Sequence, residues 1–246
     1  MYLYDWNIVT ESFRKQLKSF TDSIKLIEQS AKVFIENINE KTKPVRAFYI
    51  LAEHQFTYGK LLYKDEAEKL VAADDVDGYL AEKIEDKSFI DYDVLYDRII
   101  QSQLLLDANK SMLNQTIEAI NNGLYDLALV GVITVFDCVL SAATKDDSTH
   151  LKTRLNKIRK QMDDLSEEQW ESLTEKDMSV FGMYITWTES IKGFQKRSDF
   201  NKPESEPAEL NRHWIAHGRK TSMASKLDCC KMVNLLYGLI YFGDVA

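Results

Sequence analysis

Residues 125–144 read YDLALVGVITVFDCVLSAAT, and their composition indicates the architecture of the chain. As a helix, this segment would be apolar on nearly all sides, and such a helix must be covered by its neighbours. The segment also has the length of a membrane span, but Asp126 and Asp137 would be costly inside a bilayer. It therefore predicts the central, buried helix of a bundle and no association with a membrane.

The rest of the chain also favours helices. Its 246 residues include only 9 Gly and 3 Pro, so few turns are expected. The apolar spacing predicts helices over 45–73, 94–122 and 222–242, and Asn121-Asn122-Gly123 is typical of a helix end. We therefore predict an all-α protein.

The N-terminal region carries a heptad pattern. Apolar residues recur at alternating steps of four and three, at Phe13, Leu17, Phe20, Ile24, Ile27, Ala31, Phe34 and Ile38. A helix over residues 8–41 would be roughly 50 Å long, and it would pack along another helix of the chain or form a dimeric coil. An acidic, weakly patterned stretch follows, so we predict an N-terminal long helical hairpin or arm over 1–90 and a helical bundle over 91–246.

The charge distribution restricts the partners. A net charge of −8 argues against attachment to nucleic acid through bulk electrostatics. Two locally basic stretches, 145–160 and 192–226, nevertheless leave room for a positive cleft, although both could equally be solvated helix faces.

The cysteines indicate a reducing compartment. The three cysteines, Cys138, Cys229 and Cys230, do not form a disulfide framework, and their apolar surroundings predict reduced, mostly buried thiols. Residues 1–9 do not have the pattern of a secretory signal. We therefore expect a cytoplasmic protein. No residues have metal-ligand spacing, so no metal or other cofactor is expected.

Two of the four histidines fall in one segment, Asn211-Arg212-His213-Trp214-Ile215-Ala216-His217-Gly218. An imidazole can transfer a proton near neutral pH, and a guanidinium can hold a phosphate in its planar fork. Together these groups suit phosphodiester cleavage without a metal. The alternative is structural: Arg212 could form an ion pair, and Trp214 is expected in the core.

Asp137 needs a partner, because a carboxylate in an apolar helix is costly unless it is paired. Arg212 or His217 would satisfy it. The two histidines of the segment are four residues apart and share a helix face, but no third metal ligand is evident.

The Arg212–His217 spacing resembles the Arg-x4–6-His motif of the HEPN superfamily (higher eukaryotes and prokaryotes nucleotide-binding). His213 follows the arginine, where that family commonly has Asn, Asp or His, and the motif precedes the last helix as it does there. The string Asn-Arg-His-x-Ile-x-His-Gly looks like a variant found in uncharacterised bacterial and prophage proteins. The resemblance covers residues 94–246 and implies a C-terminal HEPN-like bundle beside the long-helix N-terminal region.

The resemblance also implies a function. HEPN proteins are typically metal-independent endoribonucleases, often toxins or phage-defence effectors, and commonly act as dimers with the motifs facing a shared cleft. On this basis Arg212 would contact the phosphate, His217 would be the catalytic histidine and His213 would support the phosphate, with Asp137 and Asn211 in supporting roles. The expected partners are an RNA substrate, a second copy of the chain and an antitoxin or regulatory protein. The alternative is a catalytically inactive protein-interaction or nucleotide-binding module.

Overall fold

The computed structural model describes residues 43–57, 64–85, 92–148, 150–166, 168, 179–196, 206–207 and 209–245. Within these residues the protein is all-α, as predicted, with ten helices and no strand. The helices are α1 (Lys43–Glu53), α2 (Lys64–Ala72), α3 (Val76–Glu85), α4 (Tyr92–Ile100), α5 (Asp107–Asn121), α6 (Tyr125–Thr144), α7 (Leu151–Asp163), α8 (Ser179–Phe194), α9 (Arg212–Ala216) and α10 (Lys226–Val245). The predicted helix over residues 8–41 lies outside the described residues.

Helix α6 lies in the core of the bundle and has the bounds that its sequence predicts. It packs against α5, α7, α9 and α10, and its most extensive contact is with α10. Cys229 Sγ of α10 approaches the carbonyl of Tyr125 at 3.4 Å at one end of this pair, and Gly243 lies beside Ala143 at the other, so the two helices run parallel. By length and composition α6 could cross a membrane, but half of its apolar window is buried inside the protein. The prediction of a core helix is therefore confirmed for the buried half of α6, whereas the expectation that its neighbours cover nearly all of its sides is wrong, since Leu127 and Val130 are exposed.

The N-terminal helices join the same core. Helix α1 packs against α8 and α2, and α3 packs against α10. Buried side chains from α1, α2 and α3 belong to one hydrophobic cluster with those of α6, α8 and α10. A division into domains near residue 90 stays a prediction, and the described residues on its two sides share a core.

The single helix predicted over 45–73 is wrong, since the structure has α1 and α2 instead. Gln55 adopts a left-handed backbone with φ 54°, and this conformation ends α1. The amide of Phe56 bonds to the carbonyl of Leu51 at 2.8 Å, and that of Gln55 bonds to Ala52 at 3.0 Å. This is a Schellman C-cap in which glutamine takes the place that glycine usually holds, so the sequence carried no obvious stop signal.

The helix predicted over 94–122 is also divided, into α4 and α5. Ser102 is buried between them, and its hydroxyl accepts a bond from the amide of Leu104 and donates to the carboxylate of Asp244. Local bonds of this kind compete with helical ones. The predicted end at Asn121-Asn122-Gly123 is confirmed, since α5 stops at Asn121 and Gly123 has φ 74°.

Two smaller predictions need correction. The last helix begins at Lys226 rather than residue 222, because Ser225 and Asp228 form a reciprocal capping box there. Cys138 is exposed rather than buried, since α6 leaves one face uncovered, whereas Cys229 and Cys230 are buried as predicted. No disulfide links the three cysteines.

Candidate functional site

The Arg-His segment forms the short helix α9, which begins at a well-defined cap. Asn211 precedes it in an extended conformation, and its side-chain oxygen accepts bonds from the amides of His213 and Trp214 at 3.0 and 3.3 Å. Its amide nitrogen donates to the carbonyl of Lys196 at 2.7 Å, beyond the end of α8. Asn211 is therefore a buried structural residue that fixes where α9 starts.

The other end of α9 is fixed by a glycine. Gly218 has φ 62°, its amide bonds to Ile215 at 3.0 Å, and the amide of Arg219 bonds to the carbonyl of Trp214 at 2.7 Å. A side chain would be strained in this left-handed conformation. The prediction that Gly218 interrupts the helix is confirmed, and it limits α9 to little more than one turn.

One face of α9 is buried. Trp214 and Ile215 belong to the core, which confirms the structural interpretation of the tryptophan. The opposite face carries His217, which is exposed, and His213, which is half-buried. The two imidazole rings stack in parallel, with their centroids 6.0 Å apart and their planes 8° from parallel. The segment thus holds both histidines together at the surface.

Arg212, the first residue of α9, binds Asp137 in the middle of α6. Its Nε lies 2.9 Å from Asp137 Oδ2 and 3.1 Å from Oδ1, and its Nη2 also donates to Oδ2. The expectation that Asp137 requires a partner is confirmed, and the partner is Arg212. The two side chains are 17% and 26% exposed, so the pair is largely removed from water but still reachable from the surface.

Sequence reasoning missed a second arginine at this carboxylate. Arg154 of α7 is 3% exposed and donates through Nη1 to Ser141 Oγ at 2.9 Å and to the carbonyl of Asp137 at 3.2 Å. Its Nη2 lies 3.6 Å from Asp137 Oδ1. A signal was present, because Arg154 lies three residues after Leu151 and four before Ile158, on the buried stripe of its helix.

The local charge is positive despite the acidic chain. Two guanidinium groups meet one carboxylate, so this cluster of Arg154, Asp137 and Arg212 carries a net charge of about +1 before the histidines are counted. Among the described residues, Nη1 of Arg212 meets no hydrogen-bond acceptor, because Nε and Nη2 face Asp137. That edge of the guanidinium can therefore receive an anion.

A cavity of about 230 Å³ lies on the other side of α9, next to Trp214 and Ile215. Among the described residues, the charged side chains that line it are three acidic ones, Glu206, Glu209 and Asp228, and one basic one, Lys220. The Nζ of Lys220 already donates a hydrogen bond to the hydroxyl of Ser222 at 2.7 Å. The acidic lining is unsuited to a phosphodiester, so the Arg212 side of α9 is the better candidate for an anion.

The described residues contain no group of three or more His, Cys, Asp or Glu side chains arranged to hold a metal ion. The expectation that the protein needs no cofactor stays a prediction. The remaining histidines lie elsewhere: His150 is exposed before α7, and Nδ1 of His54 lies 3.2 Å from Asp77 Oδ1.

Comparison of the chain with known proteins gives no assignment: no family model, no curated protein and no solved structure matches it. The geometry around Arg212 and the resemblance of the motif are the features of the chain that bear on its function.

Proposed function

We propose that the chain is a metal-independent endoribonuclease of the HEPN type that acts in the cytoplasm as a toxin or in phage defence. The observation that carries the proposal is the arrangement of Arg212 and His217 on one short helix. The Nε and Nη2 atoms of the arginine are held by a carboxylate, no described residue accepts from its Nη1, and the histidine is exposed less than two turns further on.

The proposed chemistry uses the nucleophile that RNA itself carries. Base catalysis removes a proton from the 2′-hydroxyl, which attacks the adjacent phosphorus, and the bond to the 5′ oxygen breaks as that oxygen gains a proton. His217 is the proton-transfer group, because its side chain is exposed and an imidazole nitrogen can both accept and donate a proton. The products are a 2′,3′-cyclic phosphate and a 5′-hydroxyl end.

Arg212 contacts the phosphate in this mechanism. A phosphorane gathers negative charge in the transition state, and a donor that is already oriented stabilises that charge without reorganising. Asp137 supplies the orientation by accepting from Nε and Nη2, and Arg154 holds Asp137 from the other side. His213, stacked on His217, supports the phosphate, while Asn211 caps the helix.

A homodimer would supply a second Arg-His pair. Helix α6, which carries Asp137, leaves the apolar side chains of Leu127 and Val130 exposed, the preceding Leu124 is exposed as well, and Leu127 is 66% exposed. Thr134 and Cys138 continue this uncovered face toward Asp137. An apolar face on a core helix, adjoining the site, supports self-association there.

The test is cleavage of mixed tRNA and mRNA in the presence of EDTA, with the product ends mapped. Wild type should cleave and leave cyclic phosphates, and His217→Ala should lower the rate by about 10²-fold or more, as expected for loss of a general acid or base. The matched control is His150→Ala, which removes an exposed histidine whose side chain makes no capping bond. Cleavage that survives His217→Ala, or that EDTA abolishes, would contradict the mechanism.

A second candidate is a catalytically inactive interaction or nucleotide-binding module that another protein, such as an antitoxin, regulates. The observation that favours it is the burial of Arg212, whose guanidinium is already engaged by Asp137 as in a structural ion pair. This candidate predicts no cleavage over a wide RNA panel, together with capture of a partner protein that depends on Leu127.

A further inference from the structure

Gln55, far from α9 in sequence, has an unusual conformation and location. It is 4% exposed and has a left-handed backbone with φ 54°, which L-residues other than glycine, asparagine and aspartate seldom adopt. Lys145 is the other non-glycine residue with positive φ in the described part of the chain, and it is exposed. A buried glutamine in this conformation needs a compensating interaction.

The compensation is a pair of hydrogen bonds to the chain just before α9. The amide nitrogen of Gln55 donates to the carbonyl of Leu210 at 2.9 Å, and its oxygen accepts from the amide of Leu210. The side chain thus pairs with one backbone residue through both of its groups, across 155 positions of sequence. We call this the Gln55 clamp.

The C-terminal end of α8 packs closely against the Gln55 clamp. A Cβ at Gly193 would lie 2.9 Å from Nε2 of Gln55, so only glycine leaves the amide in place. Asn211 bonds to the carbonyl of Lys196 in the same region. The ends of α1 and α8 therefore meet the start of α9, and two adjacent residues, Leu210 and Asn211, are held there by side-chain amides.

We propose that Gln55 is a positioning residue of the Arg212–His217 site. Leu210 is followed directly by the cap residue Asn211 and then by Arg212, so the clamp sets where α9 begins and how Arg212 meets Asp137. The inference rests on the proposed function for the importance of that geometry. It assigns part of the site to α1, which lies outside the region that the motif resemblance covers.

The decisive variant is Gln55→Gly. This substitution removes both hydrogen bonds of the clamp. Because glycine adopts a positive φ without strain, the relief of backbone strain offsets part of the lost stability. Lys145→Gly is the matched control, because it makes the same change at the same backbone conformation without a clamp. Gly193→Ala tests the clamp independently, since the added methyl group displaces Nε2 while Gln55 remains.

Hydrogen–deuterium exchange of the full chain gives a readout that does not depend on catalysis. We expect residues 210–219 to exchange about ten- to a hundredfold faster in Gln55→Gly and Gly193→Ala, as the loss of two buried hydrogen bonds predicts. The melting temperature of Gln55→Gly should fall below that of Lys145→Gly by only a few degrees, because glycine relieves the backbone strain in both variants. Unchanged exchange in 210–219, or equally faster exchange throughout the bundle, would overturn the proposal.

Cleavage kinetics provide the second readout. The two clamp variants should lower kcat by about tenfold or more with a smaller change in KM, because misplaced groups affect the transition state more than ground-state binding. Faster exchange in 210–219 with wild-type kcat would also overturn the positioning role. If wild type cleaves no RNA, the proposed function fails, and the exchange result still decides whether Gln55 fixes the start of α9.

Discussion

Asp137→Asn removes the charge that Arg212 and Arg154 share while keeping the shape of the side chain. Removing one partner of a buried ion pair typically costs about 3–5 kcal/mol, because the other charge is left uncompensated. Here Asp137 is 26% exposed and asparagine retains one acceptor oxygen, so water and that oxygen recover part of the loss. We expect the free energy of unfolding to fall by about 2–3 kcal/mol.

The assay is urea unfolding followed by far-UV circular dichroism, together with a thermal scan. For a chain of this size, a loss of 2–3 kcal/mol corresponds to a melting temperature lower by about 4–12 °C. Asp126→Asn is the matched control on the same helix: Asp126 accepts a bond from the amide of Ala224 at 2.9 Å, which asparagine can still accept. This control should cost less than about 1 kcal/mol, mainly through the charge at the helix start.

A loss in Asp137→Asn no larger than in Asp126→Asn would refute the reasoning, since the carboxylate would then not be compensating the buried Arg154 and the half-buried Arg212. The same variants should be compared in the RNA cleavage assay. If Asp137→Asn both folds and cleaves as wild type does, Asp137 neither supports Arg212 nor orients it.

Three further outcomes are expected. Asp77→Asn should lower the free energy of unfolding by about 1–3 kcal/mol in urea titrations at neutral pH, because it leaves the buried Lys231 without the carboxylate 2.8 Å from its Nζ. Burial raises the pKa of Asp77, but the hydrogen bonds and charges of Lys231 and His54 outweigh it and hold that pKa below its usual value. The ionised carboxylate of Asp77 therefore contributes fully to the free energy of unfolding above its unfolded pKa of about 3.9. This contribution is lost as the pH falls through the lower pKa of the folded state, so wild type and Asp77→Asn should converge in stability in that range. Iodoacetamide at pH 8 should modify the exposed Cys138 rapidly and the buried Cys229 hardly at all. Burial is the main cause that raises the pKa of the Cys229 thiol to about 12, and the neighbouring Cys230 and acidic groups add to it. Equal labelling of the two cysteines in mass spectrometry would contradict this.

Predictions that depended on periodicity mostly agree with the structure. The segment 125–144 forms a helix with those bounds, and the face of α7 that carries Leu151, Leu155, Ile158 and Met162 is buried. The positions at which helices are interrupted were harder to predict from the sequence. Gln55 ends α1 in a conformation that its sequence does not signal, and Ser102 divides α4 from α5 through a bond to Asp244, 142 residues away.

For the candidate site, chemistry at the sequence level identified Arg212, His217 and the need of Asp137 for a partner. It did not identify Arg154 or Gln55. Arg154 resembles any basic residue of an amphipathic helix until its burial is known, and Gln55 resembles any polar residue after a helix. The catalytic roles themselves, the RNA substrate and the dimer stay predictions that the assays above address.

What the sequence predicts and what only the tertiary structure decides differ in how far apart along the chain the interacting residues lie. Helix type and most of the buried helix faces depend on residues within one or two turns, so the sequence alone determined them. The uncovered face of α6, which carries Cys138, and the cap at Asn211 were not predicted. The pairing of Arg212 with Asp137 spans 75 positions, and the Gln55 clamp spans 155. Many partners compete equally well for such contacts in the sequence, and only the packing of α1, α6, α7 and α8 around α9 selects one of them.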